Sequence, residues 1–510
     1  MTLHLDQARH ASSDPLVDPT IQFAYTIHTG RRGRPRIEVE PSLLSTALTL
    51  RPKTRIANTA MCSARTIRRR QLEYGIAVPG PSLSQTQHIG ENNNNPSSRE
   101  PIDDAELDWH LAIIIQDFPT FGRRLATASL RANGVIVSES RVRDSLTRIN
   151  GAPGVFGGRR VHRRRYKVAG ANSLWHHDGQ HGTSQSPIGL LSGTTNLPIG
   201  LIRWKIVIHA FIDGKTRLVV GIQAHNNNRA ATVLTLFLNC ISVHGTPSRV
   251  RGDHGTENVR VAEWMEENQG RGRGSYIWGR SVRAPGVRLW SAYWSLNTRS
   301  VHNSRIERIW YDVTEGFGGK WKDFFTDLEA NEGLDVDNPA HIWLLHHLFL
   351  DEINQDALIW AEAWNNHKLQ IRGEPQQTPQ EMFFFSMLED GPRGLNGPRS
   401  QSGGEGDPDP DGLEDGEDLS AFGIDWEDMD DEVLMEHHHH HNPIMPDNPF
   451  STAPSTLSEV VCTPPNCPLP DESVHQLDHC LSQVLSVHSR SMLVRRTVWV
   501  EALHVCSQIS

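Results

Sequence analysis

Apolar and polar residues follow two different periods along this chain, and the change of period marks its organisation. From Pro41 to Ile76 the spacing is helical. TRIANTAMCSARTIRRRQLEYG reads as helix, turn, helix, with Ile56 and Ala57 facing inward on the first helix. Ser63 caps the second, Ile67 and Leu72 lie on its buried face, and Gly75 ends it. Asp103 to Ile149 holds three more helical stretches, LDWHLAIIIQDF, FGRRLATASLRANG and SESRVRDSLTRIN, with Gly134 closing one and Ser138 or Ser140 opening the next. From Asn172 the pattern becomes mixed. LIRWKIVIHAFIDG and RLVVGIQAH are β-rich runs on either side of Asp213-Gly214, a hairpin signal. SRVRGD is a short strand, and RAATVLTLFLNCISVHG, ENVRVAEWMEENQG and SVHNSRIERIWYDVTEGF are helices. This order predicts an α/β fold, a mixed sheet flanked by helices.

The predicted organisation is a basic, disordered arm over 1–40, a helix-turn-helix module over 41–78 and a polar linker over 79–100. A second helix-turn-helix-like module follows over 101–150, then the α/β core over 172–388. An acidic, Pro-rich stretch over 389–470 is expected to be disordered, and 471–510 forms a tail with weak helical spacing.

Charge adds a partner to this picture. The 510-residue chain has a formal net charge of −10, yet its front is rich in arginine (RRGRPR, RTIRRR, RRVHRRRYK) and its acids crowd between Glu389 and Glu436. A basic front meets nucleic acid. The second helix of a helix-turn-helix enters the major groove, so Arg65, Arg69 and Arg70, and then Arg141 and Arg143, are the candidate DNA contacts, with Arg163 and Arg164 between the modules and the core. Two small helical bundles with solvated arginines are the plainer alternative. RRGRPR resembles an AT-hook core, in which arginine lies in a narrow minor groove; a flexible basic linker fits the same residues. Six cysteines provide no disulfide framework, so a reducing compartment is expected, and a DNA substrate makes that the nucleus. No apolar run approaches the length of a membrane span, and no membrane partner is expected.

Three carboxylates carry the candidate chemistry: Asp178 in LWHHDG, Asp253 in SRVRGDHGTEN and Glu307 in VHNSRIERIW. The first two end short apolar runs and the third lies in a helical stretch. Hard carboxylate oxygens brought to one point hold paired Mg²⁺ or Mn²⁺ ions, and two such ions catalyse in-line displacement at a phosphodiester.

The residues resemble the retroviral-integrase-like core, the DDE recombinase family with an RNase H-like fold, and more narrowly the integrase-core proteins of fungi and some animals. LWHHDG, IHAFIDGKTRLVVGI, PSRVRGDHGTENV, GRGRGSYIWGRSV, HNSRIERIWYDV and WNNHKLQIRGEPQQTPQEMF carry the resemblance over about residues 172–385. It implies an integrase- or transposase-type polynucleotidyl transferase acting on double-stranded DNA as a homo-multimer, with Asp178, Asp253 and Glu307 as catalytic and metal-holding residues and two Mg²⁺ (or Mn²⁺) ions. Asp213 falls at the family's hairpin turn and is read as structural. His302, Asn303 and Arg305 open the helix that carries Glu307, and Arg305 is a further candidate DNA contact. Competing functions are a domesticated, non-catalytic DNA-binding regulator and a plain metal-dependent nuclease.

Two departures from the family pattern stand out. Between Asp253 and Glu307 lie 53 residues, more than the family's usual gap; removing 283–301, which is 19 residues long, leaves 34. A second 19-residue stretch, 182–200, precedes LIRW. Translated short introns and genuine surface insertions are the two readings, and the spliced transcript decides between them. An insertion just ahead of the Glu307 helix would leave the chain inactive if it displaced that helix.

Overall fold

The computed structural model describes residues 21–28, 35–78, 102–119, 121–150, 168–180, 200–270, 274–278, 304–369, 375–394, 460–484 and 488–509. Residues 31–34 of the AT-hook-like run, the linker, Arg163, Arg164, both 19-residue stretches apart from Gly200, and most of the acidic segment lie outside them. At its centre is a five-stranded sheet in the order β5-β4-β3-β6-β7. β3 (Leu174–Gln180), β4 (Val207–Asp213) and β5 (Val219–His225) form an antiparallel meander; β6 (Arg249–Gly252) and β7 (Tyr276–Trp278) run parallel to β3. This is the mixed, helix-flanked sheet of the RNase H-like fold expected from the sequence.

Alternation along the strands divides the core in two. Trp175 and Phe211 point to one face, against α7 (Ala230–His244) and α8 (Val259–Gln269). Ile208, Ala210 and Ile212 point to the other, against α9 (Ser304–Val313), α10 (Gly319–Asn331) and the 28-residue α11 (Pro339–Asn366). β5 is an edge strand, and α11 covers part of its edge with amides. Asn365 accepts from Val219 N (2.9 Å) and donates to Val219 O (3.0 Å), and Asn354 does the same for Ala224 (2.7 and 3.1 Å). Two side chains therefore stand where a sixth strand would pair.

Ahead of the core, β1 (Ala24–Ile27) and β2 (Arg36–Val39) form a hairpin that packs with α1 (Pro41–Leu50), α2 (Lys53–Thr59) and α3 (Ala64–Glu73). The expected disordered arm thus gives way over this stretch: Phe23 and Val39 are needed to complete a small core that three short helices cannot bury alone. Ser63 caps α3 through Thr66 N at 3.1 Å, and Gly75, at φ +70°, ends it. Leu72, expected inside, is 36% exposed; Arg70 and Gln71, one turn after Ile67, occupy the buried face instead. The module is docked rather than tethered. Arg51 bonds Glu381 (2.8 Å) and Glu389 (2.9 Å) of α12 (Pro379–Glu389) and stacks on Phe385, which joins the module's core.

The second helical block, α4 (Asp104–Asp117), α5 (Arg123–Ala132) and α6 (Glu139–Asn150), shares a continuous apolar cluster with α9, α10 and α11. Ser138 caps α6 and Gly134 (φ +79°) closes α5, both as expected. The end of the stretch expected to be disordered, 460–470, also differs from expectation. From residue 460 the chain packs on the core, with the Cys462 thiol against the carbonyls of Lys205 (3.3 Å) and Asn226 (3.6 Å). α13 (Asp471–Val484) and α14 (Met492–Ile509) add Leu477, Val498 and Trp499 to the main cluster. Arg495 is buried against Glu352 (3.0 Å), and Arg490 bridges Asp117 (2.9 Å) and Asp356 (3.0 Å).

Candidate active site

Asp178 and Asp253 come together through strand register. In the parallel β3–β6 pair, Trp175 lies opposite Val250 and His176 opposite Arg251. Two residues further on each strand are Asp178, still inside β3, and Asp253, the first residue after β6. Equal offsets on parallel neighbours put both at one level, and the period of two puts both on one face. That face is the one α9 covers. Trp310 of α9 donates its indole N–H to Asp178 Oδ2 at 2.8 Å, and Gly179 N donates to Oδ1 at 2.8 Å. Asp178 is 2% exposed. Glu307 is one turn before Trp310 on the same helix; its side chain, like that of Arg305, lies outside the described residues.

Asp253 is held by the turn that follows it. Asn258 Nδ2 donates to Asp253 Oδ1 at 2.6 Å and Gly255 N at 3.2 Å. The same turn buries a further carboxylate, Glu257, folded over Gly255, where a β-carbon would fall 2.1 Å from its Oε1. Asn228 Nδ2 reaches Glu257 Oε2 at 3.3 Å. Behind the carboxylates stands Tyr276 on β7. Burial holds its phenol well above the usual range, and Asp253, Glu257 and Asp178 each push it the same way. All three carboxylates therefore lie within electrostatic reach of one hydroxyl, which has no hydrogen-bond partner among the described residues. Gly252 makes room for it, since a β-carbon there would come 2.0 Å from the phenol oxygen.

Asp213 is excluded from this set. It faces the opposite side of the sheet and accepts from Asn172 N (2.8 Å), Thr216 N (2.8 Å) and Thr216 Oγ1 (2.7 Å), closing the β4–β5 hairpin as the sequence suggested. Among the described residues no three His, Cys, Asp or Glu side chains form a group able to hold a metal ion. The donors present suit a hard divalent cation in kind: Asp178 and Asp253 are carboxylates set level on neighbouring strands, and the buried Tyr276 hydroxyl lies within their electrostatic reach.

The arginines proposed to meet DNA divide. Arg65 and Arg69 are exposed on the outer face of α3. Arg70 is not available: it is 2% exposed, donates to Ile37 O (2.8 Å) and pairs with Glu38 (3.0 Å) and Glu73. Its position one turn after Ile67 points it inward, so it fastens α3 to the hairpin. Arg141 likewise serves the fold, tying α6 to Asp104 (2.5 Å) and Ile102 O (2.6 Å). Arg143 stays at the surface beside Asp144 (3.0 Å). Tyr276, Asn228 and the Asp178–Trp310 bond had no signal in the sequence; for Glu257 and Asn258 the signal available was their place one turn after Asp253.

A family model for the integrase core domain matches residues 195–296 and again 291–394. The first match holds Asp253 and the second Glu307, while Asp178 precedes both. The two matches meet inside the 283–301 stretch, where the family pattern is interrupted. Comparison with curated proteins finds no match. Among solved structures, a chain of the simian T-cell lymphotropic virus intasome in complex with PP2A regulatory subunit B56 gamma is 12% identical over 55% of this chain and 72% of its own, with a TM-score of 0.25, a likeness too loose to bear on function.

Proposed function

We propose that this chain, whose residues 195–394 are an integrase core domain, is a polynucleotidyl transferase that cleaves double-stranded DNA and joins its ends, with Asp178, Asp253 and Glu307 as catalytic residues. The observation that carries this reading is the register of β3 and β6, which sets Asp178 level with Asp253 under the helix that bears Glu307. The three carboxylates would hold Mg²⁺ or Mn²⁺, which supplies charge neutralisation at the phosphate and an activated attacking oxygen when bound. The residues themselves do the positioning. Trp310 and the Gly179 amide fix the Asp178 carboxylate, and Asn258 fixes that of Asp253, so neither must reorient when the ion arrives. Arg65 and Arg69 on α3 and Arg143 on α6 would contact the duplex, and end joining calls for a homo-multimer in the nucleus.

The test is metal-dependent nicking and strand transfer of labelled duplex ends by the full chain. Asp253→Asn should abolish both while leaving salt-sensitive duplex binding intact. Turnover that survives the substitution would remove Asp253 from the site. Binding without turnover in the unaltered chain would favour the domesticated regulator, a reading to which the interruption at 283–301 lends weight.

A further inference from the structure

Between the N-terminal module and the core lies an apolar groove of about 580 Å³. Leu43 and Leu50 of α1, Phe383 and Phe384 of α12, Val243 of α7 and Leu358 of α11 line it together with the start of β5. Leu358 is 62% exposed and Val243 75%, so two aliphatic side chains are left uncovered by the described residues. No lysine or arginine lines the groove among those residues. Its titratable side chains are Glu362 and His244, and burial lowers the pKa of the latter. A nucleic-acid phosphate would find no cation here, so the occupant is not DNA. Asn365 and Asn354 already hold the β5 edge at Val219 and Ala224, so the occupant docks through its side chains and does not extend the sheet.

The chain itself enters at this groove. Ile21, where the described N-terminal stretch begins, is part of the lining. Phe23 N donates to the Ile21 carbonyl at 3.1 Å, and Phe23 is buried in the module's core, so the point from which the preceding residues depart is fixed. Those residues read Asp14-Pro15-Leu16-Val17-Asp18-Pro19-Thr20, two aliphatic side chains between two prolines. At no more than about 3.6 Å per residue, Leu16 and Val17 stay within roughly 14–18 Å of Ile21. Each proline fixes its φ and carries no amide hydrogen. The stretch therefore loses less freedom on docking and brings fewer donors to an edge that is already capped.

We infer that residues 14–20 of this same chain seat in the groove, with Leu16 and Val17 as the anchors. Consecutive side chains of an extended stretch point opposite ways, and apolar residues from α1, α7, α11 and α12 are present to receive both. The segment then covers Leu358 and Val243 and clasps the module to the core, adding to the Arg51 contacts with α12. The position of the module on the core is in this way set partly by residues ahead of the module itself. The inference is independent of the chemistry at the carboxylates.

The experiment places the photo-crosslinking amino acid p-benzoylphenylalanine at Leu358 of the full chain and maps the crosslinked peptides by mass spectrometry. A mixture of heavy- and light-isotope chains tells crosslinks within one copy from crosslinks between copies. Crosslinks to residues 14–20 within one copy are expected. Leu16→Asp combined with Val17→Asp should cut their yield about tenfold, because each anchor becomes a charge in an apolar groove. The same label at Leu493, exposed on α14 and not part of the lining, should capture none of residues 14–20. Removing residues 1–18 should raise binding of the apolar dye anilinonaphthalene sulfonate several-fold, and Leu358→Lys in the shortened chain should reverse the rise. No capture of residues 14–20, capture undiminished in the double variant, or capture only between copies would each overturn the inference. Dye binding unchanged by the deletion would overturn it as well.

Discussion

At the scale of single residues, the candidate site depends on side chains that do no chemistry themselves. Asp178 accepts from Trp310 and a backbone amide, and Asp253 from Asn258. Tyr276 is the exception, a buried hydroxyl without a partner among the described residues and surrounded by acids. Leaving such a group unsatisfied costs about 1–3 kcal/mol. Tyr276→Phe should therefore raise stability in urea by about 1 kcal/mol and lower turnover if the hydroxyl assists the carboxylates; a fall in stability would show that the oxygen is satisfied. Gly252→Ala should be strongly destabilising alone and much less so combined with Tyr276→Phe, because the clash at 2.0 Å is with the phenol oxygen while the ring carbon behind it is 3.1 Å away.

Among elements, the edge of β5 and the C-terminal helices rest on a few polar contacts with α11. Asn365→Leu strips Val219 N and O of their partners and should lower stability by about 1–3 kcal/mol in urea unfolding. Arg495→Met leaves Glu352 and Asp356 buried with one cation fewer and should cost about 3 kcal/mol. If it costs nothing, Arg490 and His488 suffice to neutralise the pair. These contacts join residues far apart in sequence, 352 with 495 and 51 with 381, so the periodicity of each helix was legible and its docking was not. Leu72 and Arg70 show the same limit inside one helix. Both positions are compatible with a buried face, and the carboxylates of Glu38 and Glu73 draw the arginine in.

For the whole molecule, buried histidines set the response to pH. His346 donates Nε2–H to Trp204 O at 2.8 Å, and burial lowers its pKa to about 4, as it does for His367. Both lie below the 6.5 of the unfolded chain, so their contribution is complete above pH 6.5 and lost as pH falls toward 4. Asp312 has the opposite sign: raised from 3.8 to about 6, it favours the folded state at low pH and loses that effect as pH rises through 6. Burial also lowers His225, to about 4, and His244, and it raises Asp213. Four histidines against two carboxylates predict an unfolding midpoint that drops between pH 6.5 and 4, and His346→Gln should flatten the drop. A midpoint that rises on acidification would reverse the balance.

Alternation, turn residues and caps are local properties, and they were enough to identify the α/β core, the hairpin at Asp213-Gly214, the helix ends at Ser63, Gly75 and Gly134, and the likeness to the integrase core. The carboxylates Asp178 and Asp253 were legible as chemistry for the same reason, since each sits at a recognisable place in its own strand. Convergence is not a local property. It took the parallel pairing of β3 with β6 to set those two acids level, and the docking of α9 to bring Trp310 onto Asp178. Such contacts form only when distant segments share one core, and no period along the chain encodes which surfaces will meet.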